Sequence, residues 1–201
     1  MAKLISVIGV SGAGKTSLVR ALAAQKDFAL GLEDHAARPF QTLFKQDARY
    51  AFANQFDFLL YRAEQERTLR LDPRPALTDG GLDLDFHGFT RLFHARGWLN
   101  DPELDLLRRY YAWTRELLPP PDLIVHLTAD EETVRARLAA RDRINIASAA
   151  DASLLASFLD DWLAAVPSER LLRLNVTREP SDYRNVLPII LGRIESTCKV
   201  G

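Results

Sequence analysis

Gly9-Val10-Ser11-Gly12-Ala13-Gly14-Lys15-Thr16 follows an apolar run over residues 4–9 and opens a stretch of helical spacing over residues 16–25. The pattern is G-x-x-x-x-G-K-[ST] in a strand–loop–helix setting, which is where its chemistry requires it. Backbone N–H groups at a helix N-terminus cradle phosphate oxygens, and the helix dipole favours the anion. Gly9, Ser11, Gly12, Ala13, Gly14, Lys15, Thr16 and Ser17 are therefore the candidate phosphate-binding residues. Lys15 is spaced to reach the β- and γ-phosphates of a nucleoside triphosphate such as ATP. The Thr16 hydroxyl is placed for Mg²⁺.

Away from the loop, apolar strands are predicted at residues 28–32, 76–78, 123–127 and 171–174. Helical spacing falls at 47–71, 83–96, 101–118, 131–140, 151–165 and 182–197. Pro73-Arg74-Pro75 and Pro119-Pro120-Pro121 punctuate this alternation. Five apolar strands separated by helices predict a five-stranded parallel sheet with helices on both faces, in the α/β class. With 201 residues, 47% hydrophobic and 26% charged, the chain is expected to form a single domain, residues 1–201.

A net charge of −1 gives no polyelectrolyte signal, so neither a nucleic-acid polymer nor a membrane surface is the expected partner. Residues 1–9 are too short and lack the cleavage region for a secretory signal, and no apolar stretch approaches a membrane span. A lone cysteine, Cys198, excludes a disulfide framework and a Cys-rich metal site. Together these predict a soluble cytoplasmic protein.

In an open parallel sheet the ligand sits at the carboxyl ends of the strands. Glu33 and Asp79 are predicted there, beside Lys15 and Thr16. Glu33 is a candidate base for an acceptor hydroxyl, and Asp79 a candidate Mg²⁺ ligand, direct or through water. Either could equally serve as a turn or capping residue. Arg137, Arg141 and Arg143 form R-x-x-x-R-x-R at a predicted helix end. Arg137 and Arg141, four apart, share a helix face. They read either as solvated surface cations or as a lid, at about 137–149, that spreads the charge of a transferring phosphoryl group.

These residues together resemble the deoxynucleoside kinase family, which contains deoxycytidine, deoxyguanosine and deoxyadenosine kinases. The resemblance covers about residues 4–185. It rests on the phosphate-binding loop, on Glu33 followed by Pro39-Phe40, and on Arg49-Tyr50-Ala51-Phe52 leading to Gln55 and Arg62. It rests further on Pro121-Asp122-Leu123-Ile124-Val125 and on the arginine cluster. The resemblance implies ATP- and Mg²⁺-dependent phosphorylation of the 5′-hydroxyl of a deoxynucleoside, purines slightly favoured, by a homodimer acting in salvage. It implies Glu33 as general base, Gln55 on the base edge, and Arg62 with Asp85 completing base recognition. Phe56 and its aromatic neighbours could stack on the base or belong to the core.

Three positions depart from the family pattern. Asp79-Gly80-Gly81 stands where the family has acid-Arg-Ser. Phe44 stands where a tyrosine usually meets the sugar 3′-hydroxyl. Ile146 stands where a glutamate is usual beyond the lid. The alternatives are a nucleoside monophosphate kinase of the thymidylate kinase type and a nucleotide-binding protein of kinase ancestry without turnover.

Overall fold

The computed structural model describes residues 2–32, 38–139 and 151–199. Five short strands, β1 (Leu4–Ile8), β2 (Ala29–Gly31), β3 (Ala76–Asp79), β4 (Leu123–Thr128) and β5 (Leu171–Asn175), form one sheet in the order β2-β3-β1-β4-β5. Every neighbouring pair is parallel. β1 and β4 are buried almost along their lengths, as expected of strands covered on both faces. The predicted fold class stands.

Helices α1 (Lys15–Ala23) and α9 (Leu187–Lys199) follow β1 and β5. Leu18, Val19, Leu22, Ile190 and Ile194 from these two helices join Ile5, Val7, Leu123 and Val125 of the sheet in the largest buried cluster. A second cluster joins α2 (Pro39–Gln46), α3 (Ala51–Leu69), α5 (Arg91–Ala95) and α6 (Asp101–Leu117). Its centre is Leu59, Leu82, Phe93, Leu99 and Leu107. α6 starts at a capping box, in which Asn100 and Glu103 satisfy each other's backbone N–H groups. The remaining helices are α4 (Leu82–Leu84), α7 (Glu131–Ala139) and α8 (Ala152–Leu163).

Several boundaries differ from the sequence reading. α2 was not anticipated, because Pro39-Phe40 reads as an extended motif although proline is well tolerated in a helix's first turn. The predicted helix at 47–71 is a 3₁₀ turn, Ala48–Tyr50, capped by the Asp47 side chain and continued by α3. The helix predicted at 83–96 contains a π-helical turn, Asp85–Thr90, between α4 and α5. The last helix begins at Leu187 rather than at 182, because Tyr183 takes a left-handed φ of 57°. β2 ends at Gly31, so Glu33 lies past the strand and outside the described residues.

Candidate active site

Parallel register places the functional loops at one edge of the sheet. Val7 of β1 is level with Asp79 of β3, and the Gly80 N–H donates to the Val7 carbonyl at 2.9 Å. The chain therefore leaves β1 into the phosphate-binding loop directly beside the end of β3. Central β1 is flanked by β3 and β4, a topological switch of the kind that opens a ligand crevice.

Gly14, the N-cap of α1, has φ 102°. A Cβ there would lie 2.2 Å from the Tyr183 hydroxyl, so only glycine fits. The Lys15 ammonium turns back onto the loop and donates to the Gly9 carbonyl at 3.0 Å and the Val10 carbonyl at 3.1 Å. Two residues hold the loop from outside. The Tyr183 hydroxyl donates to the Gly14 carbonyl at 3.0 Å. Arg137 of α7 donates to the carbonyls of Ala13 at 3.0 Å and Val176 at 3.2 Å. The geometry thus places Arg137 on the loop backbone. Arg141, Arg143 and Ile146 lie outside the described residues, as does the span 140–149 of the expected lid. Arg135 is exposed and pairs with Glu131.

The Thr16 hydroxyl donates to Asp79 Oδ2, while Asp79 Oδ1 is buried without a hydrogen-bond partner. Asp79 as a whole is 2% exposed. A buried, unpaired carboxylate oxygen beside a loop hydroxyl fits a hard divalent cation, directly or through water. No group of three or more His, Cys, Asp or Glu side chains comes together among the described residues.

Gly80 and Gly81 have φ of 78° and 135°, values that an arginine and a serine would adopt only under strain. Ser6 and Thr78 hydroxyls both donate to the Gly80 carbonyl and fix the turn. A Cβ on Gly80 would lie 3.3 Å from Arg62 Nη2. The glycines at this motif thus form a turn with positive φ at both positions, and the Arg62 guanidinium packs against it.

Arg62 is buried, and its Nε donates to Asp85 Oδ2 at 2.9 Å, while Nη1 donates to Gln65. The pairing anticipated in the sequence is present. Gln55, seven residues earlier on α3, is 2% exposed. Its Nε2 donates to the Asp85 carbonyl at 3.0 Å and to the Thr90 hydroxyl at 2.9 Å. Both amide hydrogens are thus committed to the π-helical turn. Phe44 stacks on Phe93 at 4.9 Å and meets Trp98 edge-on. Phe56 packs on Phe52 and Tyr110, so its ring serves contacts within α3 and with α6.

Behind the site lies a buried charge layer that the sequence reading missed. Arg115 of α6 pairs with Asp83 at 2.9 Å and with Glu66 at 2.9 Å, and Glu66 also holds Arg70. Burial opposes the Arg115 charge, but Asp83 and Glu66 overcome it and raise its pKa. The Tyr111 hydroxyl donates to Asp83 at 2.6 Å. Its pKa is pushed up by burial and then by that carboxylate. His87 contacts Tyr111 at 3.0 Å and stacks on Trp162 at 4.8 Å. Burial lowers its pKa to about 4, so it is neutral near pH 7. These residues tie α3, α4, α6 and α8 together. No local pattern announces them, because each partner sits on a different element.

A phosphate-binding loop, a buried aspartate beside it and a buried Arg62–Asp85 pair at the carboxyl ends of a parallel sheet are the features of a P-loop nucleoside or nucleotide kinase fold. The deoxynucleoside kinase family model matches residues 5–157, and the chain belongs to that family. It is 26% identical over 140 residues to a deoxyadenosine kinase of Dictyostelium discoideum, covering 69% of this chain and 57% of that protein. It is 24% identical over 143 residues to a deoxyadenosine/deoxycytidine kinase of Bacillus subtilis, covering 70% and 66%. The matches thus span between just over half and about two thirds of these relatives' lengths. The fold is similar to that of a deoxyadenosine kinase from M. mycoides, solved with products dCMP and a flexible dCDP (TM-score 0.78) and with dCTP (TM-score 0.79). Identity is 16% in each case, over 96% of this chain and 99% of that one. No helix among the described residues is long and apolar enough to cross a membrane.

Proposed function

We propose that this protein transfers the γ-phosphoryl group of ATP to the 5′-hydroxyl of a deoxynucleoside, with Mg²⁺, and that bases bearing an amino group are preferred, purines slightly so. The observation that carries the reading is the buried Arg62–Asp85 pair packed against the turn that bears Asp79. In this reading Asp85 is the carboxylate that reads the base, and its pairing with Arg62 close to the phosphate site supports that role. An ionised carboxylate accepts hydrogen bonds only, and an exocyclic amino group supplies the donor that thymine lacks.

In this reading the loop from Gly9 to Ser17 wraps the phosphates, and Lys15 exchanges its loop carbonyls for the β- and γ-phosphate oxygens. Thr16 and Asp79 hold Mg²⁺, which supplies positive charge where negative charge accumulates. Glu33 takes the proton of the attacking 5′-hydroxyl as the bond to phosphorus forms and ADP departs. Arg137 steadies the loop through the Ala13 carbonyl, and the charge of Arg141 and Arg143 would serve the transferring group. Such an activity would serve nucleotide salvage, with the cytoplasm as its proposed place.

A homodimer is part of the same reading. Leu60 of α3 and Leu106, Trp113 and Leu117 of α6 are exposed, and the two helices meet at Phe56 and Tyr110. Such apolar surface suits a second copy of the chain.

Glu33→Gln tests the chemistry. The turnover number kcat is expected to fall by roughly 10²–10⁴-fold while stabilisation by ATP with Mg²⁺ is retained. Near-wild-type turnover in that variant would remove Glu33 as the base.

A further inference from the structure

Asn54 is 1% exposed, and neither its Nδ2 nor its Oδ1 has a hydrogen-bond partner. A buried carboxamide left wholly unpaired is rare and unfavourable, so it needs a reason. Its place on α3 supplies one. At helical spacing Asn54 lies on the row of Phe58, Tyr61 and Gln65. That row faces the two ends of the β2–α2 connection. Tyr61 and Gln65 donate to the Leu32 carbonyl, and the Arg38 guanidinium lies over Phe58 and Tyr61 at 5.4 and 4.4 Å. Asn54 also adjoins Gln55, whose amide hydrogens are already taken by Asp85 and Thr90. Of two consecutive carboxamides, one has both amide hydrogens taken inside the protein and the other has no partner.

We propose that Asn54 is a specificity-determining residue that reads the base of the acceptor nucleoside, pairing with an edge that sets an amino group beside a ring nitrogen. A carboxamide offers one acceptor and one donor side by side, and such an edge satisfies both at once, as in bidentate pairing of Asn with adenine. A lone sugar hydroxyl would leave one end unpaired. The inference rests on the deoxynucleoside kinase reading and adds a residue to it.

The test uses Asn54→Leu, similar in shape and unable to hydrogen-bond, with Asn54→Ala as a second variant. Acceptors are deoxyadenosine and deoxycytidine, each against its analogue lacking the exocyclic amino group. Without ligand, Asn54→Leu is expected to melt roughly 2–6 °C higher, because two unpaired polar atoms leave the interior. Both variants should raise the KM of the amino-bearing nucleoside by about 10–100-fold, because its edge is then left unpaired. The preference for the amino-bearing compound should fall by about tenfold, and the KM for ATP should stay within about twofold. Stability up and nucleoside affinity down is a combination that a purely structural Asn54 would not produce.

An unchanged nucleoside KM in both variants overturns the inference and leaves the kinase reading standing. An equal rise for a nucleoside and its amino-free analogue overturns the base-edge assignment. A wild-type protein that phosphorylates none of these nucleosides overturns the kinase reading and this inference together.

Discussion

Replacing Arg62 with methionine keeps the length of the side chain and removes the guanidinium that holds Asp85. The two side chains are 2% and 9% exposed, and their contact is 2.9 Å. Breaking a buried pair by removing one partner costs about 3–5 kcal/mol, because the remaining charge is stranded. In a chain of this size that corresponds to roughly 6–20 °C in Tm. Removing Asp85 as well takes away the stranded charge, so Arg62→Met with Asp85→Ala should be less destabilised than the single changes summed, by about 2–3 kcal/mol. Urea melts of the four proteins measure this directly, with a constant m-value guarding against a change of denatured state. The kinetic arm uses the same proteins. Thymidine's relative kcat/KM should rise in the double variant, since the acceptor-only carboxylate no longer faces the base. Strict additivity, or an Arg62→Met loss below about 1 kcal/mol, would refute the buried-pair argument. A substrate ranking untouched in the double variant would refute the role of Asp85 in reading the base.

Lys15→Ala should abolish most of the thermal stabilisation given by ATP with Mg²⁺, because in the proposed function its ammonium is the loop side chain that meets the β,γ-phosphates; equal stabilisation of variant and wild type would show that the loop does not hold the triphosphate. His87 and His126 are both buried with pKa values lowered to about 4, chiefly by burial; Asp83 opposes the shift at His87, while Arg173 adds to it at His126. A depressed histidine pKa means the unfolded chain binds more protons between pH 4 and 6.5. Its contribution is therefore complete above about pH 6.5 and is lost as pH falls towards 4, at about 1.4 kcal/mol per pH unit for each histidine. His87→Phe should flatten the stability slope between pH 6.5 and 5 by about that amount in denaturant melts, and an unchanged slope would show that His87 is not buried neutral.

The architecture was largely legible because its signals are local. Strand β1, the glycines of the loop and the proline breaks at 73–75 and 119–121 each announce themselves within a few residues. α2 escaped because a proline at a helix start looks like a break until the structure shows it in the first turn. Tyr183 escaped for a different reason. Its hydroxyl meets Gly14, 169 residues away, and its left-handed backbone has no sequence signature outside glycine and asparagine. The Arg62–Asp85 pair was found through resemblance, since nothing in the spacing of residues 62 and 85 places them together. Gly80-Gly81 reads in the sequence as a loss of the family's arginine and serine, and the positive φ at both positions, which favours glycine, is visible only in the structure. Asn54 had no signal at all, because an unpaired amide is visible only once its surroundings are.

Transfer of label from [γ-³²P]ATP, with Mg²⁺, to the four deoxynucleosides and to their 5′-monophosphates tests the central claim most directly. The account predicts labelled 5′-monophosphates from the amino-bearing deoxynucleosides, little from thymidine, and no labelled diphosphates. Label appearing only in diphosphates would show a nucleoside monophosphate kinase instead. Stabilisation by ATP with no transfer to any acceptor would show a nucleotide-binding protein without turnover.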